Sequence, residues 1–346
     1  MHGDPGLPRD TPQGPHPGAV MHGMKPLSLP RLGEILAIVA AGVRRELGPC
    51  RLAIGGGSAP ALLDHLYAGT PLCMRDLDLI LVAGRPVEAE LARRIGAALD
   101  GPAMRFLPQY VYPRRRARAS GDPWTAGWGV LWDSRGVEVD LSMFHDETAL
   151  ALNGLLDVDR ILVPLPPDRP FEATVAAMQA AGSAAAARSG MLIDDPSGGY
   201  AAWSRRTPAI AAWHAVEASP VECAMRIVRT CVNKLGLVRL PAALAEPLRD
   251  AIARGPECGD RYVRVRTLIK LLHDERAGVE LEMLQELGGF ARWLPEIGAA
   301  LDRAGGVGDL KVLLRVMSPA QRERVLAEFA VAEPGFASRV RTLAAG

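Results

Sequence analysis

Lysine is nearly missing from this 346-residue sequence: of its 40 basic residues only Lys25, Lys234, Lys270 and Lys311 are lysines. An arginine-rich chain suits bidentate phosphate contacts, and a general bias toward Arg, Ala, Gly and Pro accounts for it equally well. Neither sign of charge dominates, since 40 basic against 39 acidic residues leave a net +1. Bulk electrostatics therefore make no case for a nucleic-acid or membrane partner. Cysteines are few, odd in number and scattered (Cys50, Cys73, Cys223, Cys231, Cys258), without C-x-x-C spacing. That argues against a disulfide partner or a zinc site and fits a reducing cytoplasm. No apolar run approaches the ~18 residues that cross a bilayer, and the first 28 residues contain no apolar stretch of signal-peptide length. The expectation is a cytoplasmic protein with no membrane partner. The seven histidines form no H-x-x-x-H pair, so histidine catalysis and a transition-metal site have no support.

What is present describes a folded chain. Apolar residues make up 49% and charged residues 23%, ordinary globular values, and the length suits about two domains at ~150 residues each. Residues 1–28 read as a flexible tail, with Met21 or Met24 as alternative starts. Leu32, Ile35, Leu36, Val39, Val43 and Leu47 recur at helical spacing until Gly48-Pro49. A short strand at 51–54 runs into Gly55-Gly56-Gly57-Ser58, where Ser58 is expected to cap a helix beginning near Pro60. Residues 77–82 read as a central strand and 86–99 as an amphipathic helix. A hairpin is expected from 126–132 and 137–143, joined by Asp133-Ser134-Arg135-Gly136. Pro164, Pro166, Pro167 and Pro170 mark a boundary. Beyond it the pattern is helical at 172–188, 220–236, 241–254, 260–273, 278–304 and 308–345. The coarse architecture is an α/β head at 29–165 followed by an α-helical body at 166–346.

The chemistry is concentrated in Arg75-Asp76-Leu77-Asp78-Leu79. Alternation in a strand puts Asp76 and Asp78 on one face, roughly 6.6 Å apart, with the leucines on the other. Two carboxylates so placed can bracket a pair of hard divalent ions for in-line phosphoryl transfer; a solvated strand end shows the same pattern. Eighteen residues earlier, the glycine turn leading into a helix offers backbone N–H groups to an anionic phosphate, though any tight turn also wants glycine. On the later strand Val137-Glu138-Val139-Asp140-Leu141, Glu138 and Asp140 share a face, and either could supply the third carboxylate that completes a metal site. An amphipathic edge strand alternates in the same way. The three features coincide, in order, within one α/β unit.

In this combination the sequence resembles the nucleotidyltransferase superfamily typified by DNA polymerase beta. It is most similar to the branch containing bacterial tRNA nucleotidyltransferases (CCA-adding enzymes) and poly(A) polymerases. Ile54 to Ala59 and Arg75 to Leu79 are similar to that branch's opening motif. Met225-Arg226-Ile227-Val228-Arg229 with Lys234-Leu235-Gly236-Leu237 looks like its neck helix, and segments from Arg264 to Ile297 resemble its RNA-binding helices. The resemblance implies an α+β fold, a nucleotidyltransferase-type mixed-sheet head followed by an all-α body. It implies an enzyme moving an NMP from an NTP (ATP or CTP) to a hydroxyl, preferably an RNA 3′ end, with two Mg²⁺ ions. Asp76, Asp78 and Asp140 would be the metal ligands, with Glu138 the other candidate for the third acid. Gly56, Gly57, Ser58, Arg75, Asn153, Arg226 and Arg229 would serve the nucleotide. The branch's R-R-D segment is reduced here to Asn153 within 147–154, and its E-D-x-x-R motif is missing before the neck. Alternatives are therefore a nucleotidyltransferase acting on a small molecule or protein, or an inactive nucleotide- or RNA-binding module.

Arg114, Arg115, Arg116 and Arg118, near Arg105 and interleaved with Tyr110 and Tyr112, are the candidate RNA-binding group; a solvated loop reads the same way. Trp124, Trp128 and Trp132 share parity and are expected to pack the head's sheet. Arg226 and Arg229 lie one helical turn apart, facing either the cleft or a helix–helix salt bridge.

Overall fold

A computed structural model describes residues 25–74, 76–117, 123–151, 154–183, 186, 190–255, 261–305, 310–332 and 337. Among the described residues nine strands lie in the head: β1 Lys25–Pro26, β2 Arg51–Ile54, β3 Cys73–Met74, β4 Asp76–Val82, β5 Arg105–Phe106, β6 Tyr112–Ala117, β7 Pro123–Ser134, β8 Val137–Phe144 and β9 Val163–Pro164. β1 and β3 pair with each other, and the other seven form one mixed sheet in the order β5-β7-β8-β4-β2-β9, with β6 also on β7. β4 and β8 run parallel, while β4 is antiparallel to β2 and β7 to β8. The rest of the chain is mostly helical, so the α+β expectation of a mixed-sheet head and an all-α body holds.

The central strand behaves as its alternation requires. Leu77, Leu79 and Leu81 are fully buried, and Asp76 and Asp78 face the other way, half-buried. The β7–β8 hairpin closes where expected: Ser134 opposes Val137, leaving Arg135 and Gly136 as a two-residue loop with φ of 53° and 88°. Positive φ at both central positions matches the right-handed twist of the strands, and the Gly136 N–H donates to Asp133 Oδ1 at 2.7 Å. Trp132 is buried and donates its indole N–H to the Gly96 carbonyl at 3.0 Å, so it packs the sheet as expected.

Several expectations shift. Gly57, not Ser58, caps the helix Ser58–Ala68, and no side chain bonds at that cap; the Ser58 hydroxyl is engaged by β4. The helix expected at 86–99 spans Ala89–Ala98; ahead of it the Val87 N–H donates to His145 Nδ1 at 2.9 Å. The expected 278–304 helix is three pieces, Ala277–Glu286, Gly289–Arg292 and Pro295–Arg303. Gly288 breaks it in the left-handed region, and Leu294 breaks it again ahead of a proline that disfavours helix before it. The Ala-rich helix is interrupted as well: Phe171–Ala181 ends at Gly182, φ 72°, and Ser183 and Ala186 beyond it are again helical.

Two apolar clusters hold the structure. The head's joins the sheet leucines to the helix Leu29–Leu47 and also takes in Phe171, Val175 and Met178. The body's is built on Val221 to Val232, Val265 to Leu271 and Leu281 to Leu301, and also draws in Leu155, Leu156 and Val158. The chain therefore passes between the two cores more than once, which ties head to body. Among the described residues no helix is long and apolar enough to cross a membrane.

Candidate active site

The acid pair and the glycine turn form one hydrogen-bonded unit. The Gly55 N–H donates to the Asp78 carbonyl at 3.0 Å, and the Gly57 N–H donates to Asp78 Oδ2 at 3.0 Å. Ser58 Oγ donates to the Asp76 carbonyl at 3.0 Å and accepts from the Asp78 N–H at 2.9 Å. Gly56 is required twice over: its φ is 53°, and a Cβ there would lie 2.1 Å from Asp78 Oδ2. The turn thus closes directly over the carboxylate. Burial and the neighbouring Asp76 push Asp78 up to about 7; Lys234 opposes this, Asp140 adds to it, and the Gly57 N–H opposes it. Burial, more than the charge of Asp76, penalises the ionised form of Asp78, and a bound cation would offset that penalty.

β8 places the later acids alongside in parallel register: Glu138 opposite Asp76, and Asp140 opposite Asp78. Glu138 is exposed and Asp140 half-buried. Asp140 is already occupied. Arg114 Nη2 donates to both of its oxygens at 3.0 Å, and the Tyr112 hydroxyl donates to Oδ2 at 2.6 Å. Arg114 also donates to Ser142 Oγ. The guanidinium stands over the Tyr112 ring, 4.8 Å from its centroid. A register shift in the β6–β7 pairing between Arg114 and Arg115 re-aims this side chain, the usual effect of a bulge. Burial opposes the Arg114 charge, but Asp140, Tyr112 and Asp78 overcome it and raise its pKa.

The body supplies cations to the same place. The neck helix Pro220–Arg229 continues into one π-helical turn, Thr230–Lys234, an irregularity frequent at functional sites. Its last residue sends Lys234 toward the glycine turn, where the ammonium lies 3.9 Å from the position a Gly57 Cβ would take. Lys234 makes a loose ion pair, 3.8 Å from Asp159. Arg229 is anchored by Asp274 (Nε to Oδ2, 2.6 Å), and Asp76 helps to hold it charged. From the helix Arg261–His273, the Arg266 guanidinium lies 5.3 Å from the Tyr112 ring centroid. Lys270, one turn on, is lowered to about 8 by desolvation and then by Arg266, Arg229 and Arg114, with Asp140 opposing. Behind Arg229, Asn233 Nδ2 donates to Asp274 at 2.9 Å and to Glu280 Oε1 at 2.8 Å. Burial and Asp274 drive Glu280 up to about 8.

Of the residues singled out in the sequence, Asp76, Asp78, Asp140, Gly56, Gly57, Ser58, Arg114 and Arg229 meet at this cleft. Glu138 lies at its open end beside Asp76. Arg226 is half-buried on the neck helix, and Arg115 and Arg116 lie on β6 opposite Thr125 and Trp124. Arg75, Asn153 and Arg118 fall outside the described residues. Lys234, Tyr112, Arg266 and Lys270 were not assigned to the catalytic centre from sequence. For the lysines the one available signal was rarity, since two of only four in the chain stand here. The donor set around Asp76 and Asp78 is all oxygen and anionic, which suits Mg²⁺. Among the described residues no three acidic, His or Cys side chains converge into a metal cluster, and Asp140 is engaged by Arg114 and Tyr112.

No family model and no curated protein matches the chain. Solved structures do share its fold. A CCA-adding enzyme in an apo form aligns with a TM-score of 0.54 at 12% identity, covering 92% of this chain and 70% of the other. A tRNA-processing enzyme, also apo, aligns with a TM-score of 0.52 at 12% identity over 92% and 79%.

Proposed function

We propose that this chain is a nucleotidyltransferase that moves an NMP from an NTP to a hydroxyl acceptor, with an RNA 3′ end as the preferred acceptor and pyrophosphate as the leaving group. The observation that carries this reading is the acid pair latched to the glycine turn and faced by cations from the body. Asp76 and Asp78 would hold Mg²⁺, which when bound polarises the transferred phosphoryl group as a Lewis acid. The protein's own groups do the rest. The Gly55–Gly57 turn brings backbone close to one end of the carboxylate pair, and Lys234 beside it neutralises the β- and γ-phosphates and the departing pyrophosphate. Arg229, clamped by Asp274, sets a fixed positive charge near Asp76. On the other flank Arg266 and Lys270 carry positive charge toward Asp140, where the acceptor enters opposite the leaving group.

The fold shared with a CCA-adding enzyme and a tRNA-processing enzyme makes an RNA 3′ end the first acceptor to offer. The test is transfer of label from each α-labelled NTP, ATP and CTP first, to total RNA, to a metabolite extract and to protein. Label entering RNA 3′ ends in wild type and not in Asp78→Asn is the expected result. Label entering only metabolites or protein would move the acceptor to a small molecule or polypeptide, and no transfer with intact NTP binding would leave a binding module.

A further inference from the structure

The third acid of the site is not available as the sequence pattern suggested. Asp140 is held from two sides: Arg114 Nη2 lies 3.0 Å from both of its oxygens, and the Tyr112 hydroxyl donates to Oδ2 at 2.6 Å. The donors are themselves held: Arg114 by Ser142 and a strand irregularity, and the Tyr112 ring between Arg114 and the body's Arg266. Arg114 Nε is buried with no partner. A second dication at Asp140 would have to displace Arg114 and then sit beside Arg114, Arg266 and Lys270. Like charges at such separations repel by kilocalories in a partly desolvated cleft.

We infer that Arg114 is a built-in counter-charge for the third acid, so that the chain binds one divalent ion, on Asp76 and Asp78, rather than two across three carboxylates. Arg114 is in this sense a positioning residue. It fixes Asp140 through the contacts of its Nη2. The inference rests on the reading of Asp76 and Asp78 as the metal-holding pair, and it differs from the two-ion arrangement that the family resemblance implies.

The test counts ions rather than turnover. Free Mn²⁺ is followed by electron paramagnetic resonance during titration of the full chain without nucleotide. Wild type is expected to bind one Mn²⁺. Asp140→Asn should keep that site with a Kd within about threefold, and Asp78→Asn should lose it. Arg114→Met should gain a second site or tighten Mn²⁺ binding at least tenfold, because the Asp140 charge is released; a merely structural arginine would give no such gain. Thermal unfolding confirms that each variant is folded, and Asp140→Asn decides the matter if Arg114→Met is not. Two sites in wild type, or a tenfold weaker site in folded Asp140→Asn, overturns the inference while leaving nucleotidyl transfer standing. If wild type binds no Mn²⁺ and transfers no NMP, the functional reading falls as well.

Discussion

Two carboxylate pairs face each other across Arg229, and they have opposite characters. In the head, Asp76 and Asp78 lie on a strand, open on one side, supported by backbone N–H groups and the Ser58 hydroxyl. In the body, Asp274 and Glu280 are closed in by the neck helix, with Asp274 gripped by Arg229 and Glu280 fully buried. Both pairs raise the pKa of one member. In the body the proton itself resolves the excess charge, since Glu280 Oε2 is buried with no partner and Glu280 rises to about 8. In the head the pair is only half-buried and has the charges of Lys234 and Arg229 nearby, so a charged ligand can take that role. The same residue types build a clamp in one place and a receptor in the other, and exposure makes the difference.

The comparison breaks if the head's pair proves structural. Asp78→Asn should lower NMP incorporation by about 10³-fold. At pH 8 its melting temperature should be no lower than wild type, because Asp78 is raised from 3.8 to about 7 in the fold, so its stabilising contribution is lost as pH climbs through that range and the full cost is present at pH 8. A large fall in melting temperature with activity retained would reverse the assignment. In the body, Arg229→Met should cost about 3 kcal/mol in a denaturant titration, since it strips a buried carboxylate of its partner. The pH dependence sharpens the same contrast. Glu280 rises from 4.5 to about 8, so its stabilising contribution is whole below pH 4.5 and declines as pH climbs toward 8, at up to about 1.4 kcal/mol per unit. Glu280→Gln should flatten that slope. Gly56→Ala should cost about 1–2 kcal/mol from the left-handed backbone and cut activity, since the new methyl displaces Asp78. The smallest effect belongs to the surface pair Arg254–Asp250, where Arg254→Ala should change stability by less than about 0.5 kcal/mol.

The acid pair, its glycine turn and the hairpin were legible because their signals are local: period-two alternation, turn residues and short spacing. The interruptions at Gly288 and Leu294 were written in the sequence too, but helical periodicity on either side masked them. Ser58 misled, because a serine at a helix start reads as a cap, whereas its hydroxyl serves a strand eighteen residues on. The state of Asp140 was invisible: alternation placed it on the correct face, but nothing in 137–141 announces a tyrosine and an arginine folding back from β6. Nor does the neck pattern announce that a π-turn carries Lys234 to the glycine turn.

The order of residues by itself settled which side chains lie on which face of β4 and β8, since that follows from backbone geometry within a few residues. Which charges meet there was settled only by the packing of two cores. Coulombic and hydrogen-bond partners depend on distances between segments as many as 156 residues apart in the chain (Asp78 and Lys234), and no local pattern carries those.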